Sequence, residues 1–96
     1  MRPTTPRRRP RKRPDPGGVL LFRLCEFLVH SLVEDPEQVK IDRIETERVD
    51  IFFLHIGKND RGRILGKSGR TIGALRTFLE GIAARSDREV VVEILD

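Results

Sequence analysis

The chain has 96 residues, enough for one small domain, and a net charge of +4. Cys25 is the only cysteine, which excludes an internal disulfide and favours a reducing compartment; its apolar neighbours indicate a buried thiol. The most apolar run, residues 19–33, is interrupted by Arg23, Glu26 and His30 and is therefore unsuited to span a bilayer. We therefore expect a cytoplasmic protein.

Charge divides the chain into two parts. Residues 1–18 hold seven cations, one carboxylate and five prolines, so we expect a disordered basic arm that precedes a domain over residues 19–96. The domain itself is slightly acidic, with twelve cations and fourteen carboxylates. The arm is open to several interpretations: a solubilising tail, a segment that touches RNA, a nuclear address or a membrane-surface patch. A twin-arginine export signal is disfavoured, because the apolar run that follows is interrupted and lacks a small-residue cleavage site.

The first half of the domain predicts a helix and two strands. Apolar residues recur at steps of three and four after Gly17-Gly18, at Leu20, Leu21, Leu24, Phe27, Leu28 and Leu32. Asp35-Pro36 ends this helix, since the residue before a proline is pushed out of helical space. A short strand around residues 39–42 and a second one over 49–56 follow. The second strand is apolar on both faces, which is typical of the middle of a sheet or of a strand covered by a partner.

The second half predicts two helices and a strand. Residues 60–65 suit one or two helical turns, and a longer amphipathic helix ends near Ala84, with a stripe of Ile72, Leu75, Phe78, Leu79 and Ile82. The β-branched run 89–95 predicts the last strand. The resulting α+β order is α-β-β-α-α-β. A hairpin followed by a right-handed crossover makes a three-stranded mixed sheet with helices on one face.

The most informative segment is Arg63-Ile64-Leu65-Gly66-Lys67-Ser68-Gly69-Arg70-Thr71-Ile72. Its Gly-x-x-Gly tetrapeptide joins the two predicted helices, and glycines without a Cβ allow a tight turn and a close approach to another backbone. Lys67 lies between the glycines, and Arg63 and Arg70 flank them. The helix that begins near Thr71 would point its first N–H groups at the same spot. A single-stranded nucleic-acid backbone fits such a site.

This order of elements around Gly-x-x-Gly resembles the type II K-homology (KH) domain. The segments 32–39, 60–72 and 74–77 resemble the small bacterial single-KH RNA-binding proteins, the KhpA or YlqC-like group. The resemblance implies that Gly66, Lys67, Ser68 and Gly69 clamp the RNA backbone, while Ile64, Leu65 and Ile72 form an apolar floor for the bases. Leu65 replaces the isoleucine usual before the first glycine, and the basic arm lies outside the family pattern.

Other charged residues carry weaker expectations. Arg61, Arg63 and Arg70 are candidate phosphate contacts or simple surface residues, and Arg76 is expected to pair with Glu80 one helical turn later. His30 and His55 lack companions at metal-ligand spacing. We expect no metal, no cofactor and no catalysis, because the acidic residues offer no nucleophile, base and orienting group.

The leading hypothesis is therefore a cytoplasmic single-stranded RNA-binding protein that acts as an RNA chaperone or post-transcriptional regulator. The alternative is an assembly module, motivated by Phe52 and Phe53 on opposite faces of one strand. The family resemblance implies a homodimer, or a heterodimer with a larger KhpB or Jag-like KH-domain protein. Both roles can coexist in one protein.

Overall fold

The computed structural model describes residues 16–95 and contains the predicted elements in the predicted order. They are α1 (Pro16–Leu32), β1 (Lys40–Glu45), β2 (Val49–His55), α2 (Arg61–Leu65), α3 (Arg70–Ala84) and β3 (Glu89–Leu95). Short 3₁₀ turns connect them at Pro36–Gln38, Lys58–Asp60 and Lys67–Gly69. The α+β class and the α-β-β-α-α-β order are confirmed.

Helix α1 begins at Pro16, ahead of the Gly17-Gly18 pair that the sequence favoured as its start. A proline suits the first turn of a helix, because the N–H that it lacks would have no acceptor there. Residues 1–15, which form most of the predicted basic arm, lie outside the described residues. The division into arm and domain thus stays a prediction.

The sheet has β2 in its centre, as the two-sided apolar pattern predicted. Strand β2 pairs antiparallel with β1, with Ile51 opposite Ile44, and parallel with β3, with Ile51 opposite Val91. Phe52 and Leu54 face the helices and are fully buried, whereas Phe53 lies on the opposite face and is partly exposed. The sheet therefore has one covered face and one open face.

The hydrophobic core lies between the helices and the covered face of the sheet. The ring of Phe22 on α1 meets Phe52 edge to face, with centroids 6.0 Å apart. Apolar residues from all three helices and from β2 and β3 complete this core, including Leu21, Val29, Leu54, Ile64, Leu75, Leu79 and Val92. Arg76 strengthens the contact of α3 with β3, because its Nε donates to the Val92 carbonyl at 3.1 Å. This bond replaces the pair with Glu80 that the helical spacing favoured.

Both long helices leave predicted core residues at the surface. Helix α1 buries Leu21, Cys25 and Val29, so Phe27 is 66% exposed. On α3 the side chain of Phe78 is 49% exposed. The apolar pattern of α1 continues around much of the helix, so periodicity alone did not determine which stripe faces the sheet.

Cys25 is buried at the centre of the α1 stripe, as expected. Burial disfavours the thiolate, and with a smaller contribution from the Glu26 carboxylate it raises the pKa of Cys25 to about 12. The thiolate is the reactive form of cysteine, so this thiol is inert in the folded protein near neutral pH.

A buried carboxylate stabilises the end of the sheet that lies opposite to the Gly-x-x-Gly segment. Asp50 has no exposed surface and accepts hydrogen bonds from Arg43 Nε at 3.2 Å and Arg88 Nε at 2.9 Å. Arg88 also donates to the carbonyls of Glu47 and Thr46 in the hairpin turn. The start of β3 is thereby tied to both strands of the hairpin. Removing one member of such a buried pair typically costs about 3–5 kcal/mol.

Candidate nucleic-acid interface

The turn between α2 and α3 depends on Gly66. Its backbone adopts φ 74° and ψ 169°, a conformation that is open essentially to glycine alone. Its N–H donates to the Gly62 carbonyl at 2.8 Å and so ends α2. A Cβ at this position would lie 2.6 Å from the backbone nitrogen of Thr71 and would also collide with the Thr71 side chain. The first glycine is therefore required both by conformation and by space.

The rest of the loop turns through two consecutive left-handed residues. Ser68 has φ 57° and Gly69 has φ 74° and ψ 16°. The Gly69 N–H donates to the Gly66 carbonyl at 3.1 Å and closes the bend. No atom would lie within 4 Å of a Cβ at Gly69. The second glycine is thus required only for its backbone conformation, which asparagine also tolerates.

Two cations project from this bend. Lys67 and Arg70 are exposed, and in the described part of the chain neither takes part in an ion pair. Arg70 is the first residue of α3, so both charges lie beside the N-terminal end of a 15-residue helix. Unpaired N–H groups and the helix dipole attract anions at such an end. The bend therefore presents, within the described residues, two cations without ion-pair partners at the positive end of a helix.

Arg63 is held differently from these two cations. Its Nε lies 3.1 Å from Asp60 Oδ1, and its Nη2 lies 3.1 Å from Glu34 Oε1. Arg61, at the start of α2, is partly buried. The structure thus brings all the predicted cations to α2 and the bend, but it leaves Arg63 neutralised by two carboxylates.

Asp60 was not expected from the sequence to have a special role. Its carboxylate is 1% exposed and accepts hydrogen bonds from the backbone N–H groups of Glu34 at 2.9 Å and Asp35 at 3.0 Å. The Glu34 N–H is the main cause of a lowered pKa for Asp60, and the Asp35 N–H and the Arg63 guanidinium act in the same direction, against burial. Asp60 therefore ties the end of α1 to the start of α2. An aspartate before a helix usually indicates a local cap, so no sequence pattern indicated this long-range contact.

The three predicted apolar floor residues differ in accessibility. Ile64 has no exposed surface and Ile72 is almost fully buried, since both belong to the core beneath the bend. Leu65, by contrast, is 39% exposed. Of the three, Leu65 is thus the one accessible at the surface, while Ile64 and Ile72 support the bend from below.

Other kinds of site find little support within residues 16–95. In that range no group of three or more His, Cys, Asp or Glu side chains is arranged to hold a metal ion. His30 is exposed, and the Nε2 of His55 lies 2.8 Å from Asp42 Oδ2 on the open face of the sheet. Over the same range, no helix combines the length and apolar character that a membrane span requires.

The fold and the bend together define a type II KH domain. The element order, the mixed sheet with helices on one face and the Gly-x-x-Gly turn between α2 and α3 are its defining parts. Residues 23–94 match the family model described as the KhpA/KhpB KH domain. The chain belongs to this family.

Curated relatives agree with this assignment. The chain is 44% identical over 75 residues to the RNA-binding protein KhpA of Borreliella burgdorferi, covering 78% of this chain and 92% of the relative. It is 39% identical over 70 residues to the protein of the same name from Chlamydia pneumoniae, covering 73% and 90%. The corresponding protein of Mycobacterium bovis is 38% identical over 68 residues, with coverage of 71% and 85%. No solved structure matches the chain significantly.

The two glycines of the bend should respond unequally to the same substitution. Gly66→Asn should lower the free energy of unfolding by about 3 kcal/mol, because strain and a collision with Thr71 act together. Gly69→Asn should cost about 1 kcal/mol or less, since its Cβ enters open space. Urea unfolding of the two variants measures the difference. Equal losses would show that the approach of Gly66 to Thr71 does not constrain the turn.

The lowered pKa of Asp60 predicts how stability depends on pH. An aspartate whose folded-state pKa lies below its ordinary value stabilises the fold at higher pH, and this contribution is lost as the pH falls through the folded-state value. Asp60→Asn should therefore melt below the parent at neutral pH, and the gap should shrink in strong acid. Asp87→Asn is the matched control, because Asp87 is exposed and pairs only at the surface with Arg48. A gap for Asp60→Asn that does not change with pH would contradict this assignment.

Proposed function

We propose that this protein binds single-stranded RNA in the cytoplasm by clamping the sugar-phosphate backbone at Gly66–Gly69. The observation that carries the proposal is the bend itself: two cations, Lys67 and Arg70, which have no ion-pair partner within residues 16–95, lie beside the N-terminal end of α3. The relatives are named RNA-binding proteins, which agrees with this chemistry. A KH bend of this kind holds the backbone of about four nucleotides.

The side chains around the bend favour modest affinity and weak sequence preference. The aromatic residues of the chain are five phenylalanines, none of them between residues 54 and 77. The segments that form and flank the bend in the sequence therefore offer no aromatic ring for base stacking, which is worth about 1–3 kcal/mol per base. Leu65 offers apolar contact, and Lys67 and Arg70 offer charge. Such binding suits an RNA chaperone or a post-transcriptional regulator that acts on many transcripts.

The direct test reverses charge at the centre of the bend. Lys67→Asp with Ser68→Asp should weaken binding of a short single-stranded RNA by at least about tenfold, because two charge-assisted phosphate contacts are lost and repulsion is added. The log–log dependence of affinity on salt should also flatten by ~0.7 for each phosphate contact removed. Fluorescence anisotropy across a salt series measures both effects.

A matched control comes from the far end of α3. Arg85→Asp with Ser86→Asp makes the same change in net charge at two exposed residues remote from the bend. This variant should retain RNA affinity close to that of the parent. Circular dichroism must first show that both double variants are folded. If the folded bend variant binds RNA as well as the control does, the clamp proposal is wrong.

Self-association is a second proposed function, favoured by the exposed apolar surface of the helices. A groove of about 440 Å³ runs between α1 and α3, lined mainly by Leu28, Leu32, Ala74, Leu75 and Phe78. Exposed Leu20 and Phe27 extend this apolar surface along α1. Exposed apolar side chains grouped in this way are typical of protein-protein contacts. We place a homodimer contact here.

The same surface is our candidate for a heterodimer with a larger KhpB or Jag-like protein. The matched family description covers the KH domains of both KhpA and KhpB. A surface that fits a second copy of this KH fold would also fit a related KH domain. Arg70 and Thr71 line one end of the groove, so a partner bound there would lie next to the RNA-binding bend.

Two residues with the same exposed fraction test whether the dimer contact lies on this helix surface or on the open face of the sheet. Phe78 on α3 and Ile44 on β1 are each 49% exposed. Phe78→Ser should raise the dimer dissociation constant more than about tenfold, because a twofold contact loses the side chain twice. Ile44→Ser should leave the constant unchanged. Light scattering at micromolar concentrations checks both variants, and a monomeric parent protein would refute the proposal.

A further inference from the structure

The open face of the sheet carries an unusual cross-strand row. Phe53 in the centre of β2 is directly opposite Asp42 on β1 and Glu93 on β3. Side chains in such positions lie about 5 Å apart on the same face of a sheet. The partly exposed ring of Phe53 is therefore flanked by one carboxylate on each side.

The surroundings of this row are apolar and acidic. The neighbouring row consists of Ile44, Ile51 and Val91, and Glu89 adds a third carboxylate beside Val49. The basic side chains on this face lie at one end, where His55 Nε2 is 2.8 Å from Asp42 Oδ2 and Lys40 Nζ is 3.9 Å from Asp42 Oδ1. Within residues 16–95, Glu89 and Glu93 form no ion pair. The face as a whole therefore carries excess negative charge.

This arrangement matches the chemistry of an arginine side chain. A guanidinium group stacks on an aromatic ring and at the same time donates hydrogen bonds to carboxylates at the ring edge. Charge-assisted bonds to two carboxylates fix its position more firmly than stacking alone. The row Asp42–Phe53–Glu93 offers one guanidinium group a ring, the Glu93 carboxylate, and the lone pairs of Asp42 that His55 and Lys40 leave unused.

From this row we infer that the chain's own basic segment, residues 7–13, docks on the open face of the sheet. This segment carries five arginines and one lysine, and the remainder of the protein from residue 19 has a net charge of −2. Pro3, Pro6, Pro10 and Pro14 lack backbone N–H donors, so the arm is poorly suited to extend the sheet as a strand. Its contacts are made by side chains.

The connection to α1 gives the arm sufficient reach. Asp60 fixes the C-terminal end of α1 near the end of β2, so the helix starts at the opposite end of the sheet. Helix α1 packs against β1, the edge strand that carries Asp42 on its other face. Pro16 follows Arg7 by nine positions, and an extended chain of that length spans up to about 30 Å. The arm can therefore pass around the β1 edge to Phe53.

Docking in this way makes the arm a self-masking device. A tethered segment is present at an effective concentration in the millimolar range, so weak contacts are enough to occupy the face much of the time. Nucleic acid that binds the arm must first displace it from Asp42 and Glu93. The acidic face thereby reduces the unspecific affinity of the arm for RNA, and this role does not depend on the clamp at Gly66–Gly69.

The test is paramagnetic broadening in the full-length chain freed of nucleic acid. Thr5→Cys places a spin label beside the basic segment, and Cys25 stays unlabelled because it is buried. At low salt the amide signals of Asp42, Phe53 and Glu93 should lose about half of their intensity or more, and at about 1 M salt, where the Debye length is about 3 Å, they should recover. Broadening spread evenly over the surface, or centred elsewhere, would overturn the proposal.

Matched variants show whether the row itself is the docking site. Asp42→Asn with Glu93→Gln should abolish the localised broadening. Glu80→Gln with Asp87→Asn removes the same charge at exposed positions off this face and should leave the broadening intact. Phe53→Leu, which keeps apolar area but lacks the ring, should give an intermediate loss. Equal behaviour of the two double variants would contradict docking on this row.

A mixed sample distinguishes docking within one chain from docking between chains. Spin-labelled protein without ¹⁵N is mixed with ¹⁵N-labelled protein without a spin label. Contact within a chain gives no broadening in this mixture. Broadening equal to that of the doubly labelled protein would show an arm bound to a second copy and would overturn the assignment to one chain.

Discussion

The close approach of Gly66 to Thr71 is the constraint on which the site depends. It brings the end of α2 against the start of α3 without an intervening side chain, so the helices meet at a bend of four residues. Lys67 follows Gly66 in this turn with its side chain exposed, and Arg70, the first residue of α3, comes directly after the turn. The core beneath, through Ile64 and Ile72, holds both helices against the sheet. A tight turn and a buried floor thus act together to preorganise the charged surface.

The charges near this turn serve two different purposes. Lys67 and Arg70 are exposed and unpaired within residues 16–95, whereas Arg63 is engaged by Asp60 and Glu34. Asp60 also holds two backbone N–H groups at the end of α1, so the ion pair belongs to a junction between helices. Counting cations in the sequence therefore overstates the charge that an RNA strand meets. For the proposed RNA clamp, this division favours modest affinity for RNA.

The sequence predicted what depends on local pattern. Strands β2 and β3, the short α2 and the end of α3 at Ala84 lie where alternation, β-branched residues and glycines placed them, whereas β1 continues to Glu45, beyond the predicted residues 39–42. It did not predict which stripe of α1 is buried, because apolar residues surround much of that helix. It also did not reveal the reach of Asp60 to Glu34, since contacts between residues 26 positions apart leave no periodic signal. For the same reason, the sequence named Arg63 and Ile64 as site candidates but did not show that Arg63 is engaged by carboxylates or that Ile64 is buried in the core.

The basic segment and the acidic face of the sheet belong to one chain, so the face and RNA compete for the same arginines. In the proposed docking, the basic segment is shared between RNA and the acidic row of Asp42 and Glu93, and both attractions weaken as salt increases. Salt therefore releases the arm from the sheet while it weakens the arm's hold on phosphate, so the two effects partly cancel. The clamp has no such internal competitor, because Lys67 and Arg70 are already free of carboxylate partners in the described chain. On the proposed function, this competition makes the bend, rather than the more highly charged arm, the place where RNA is held.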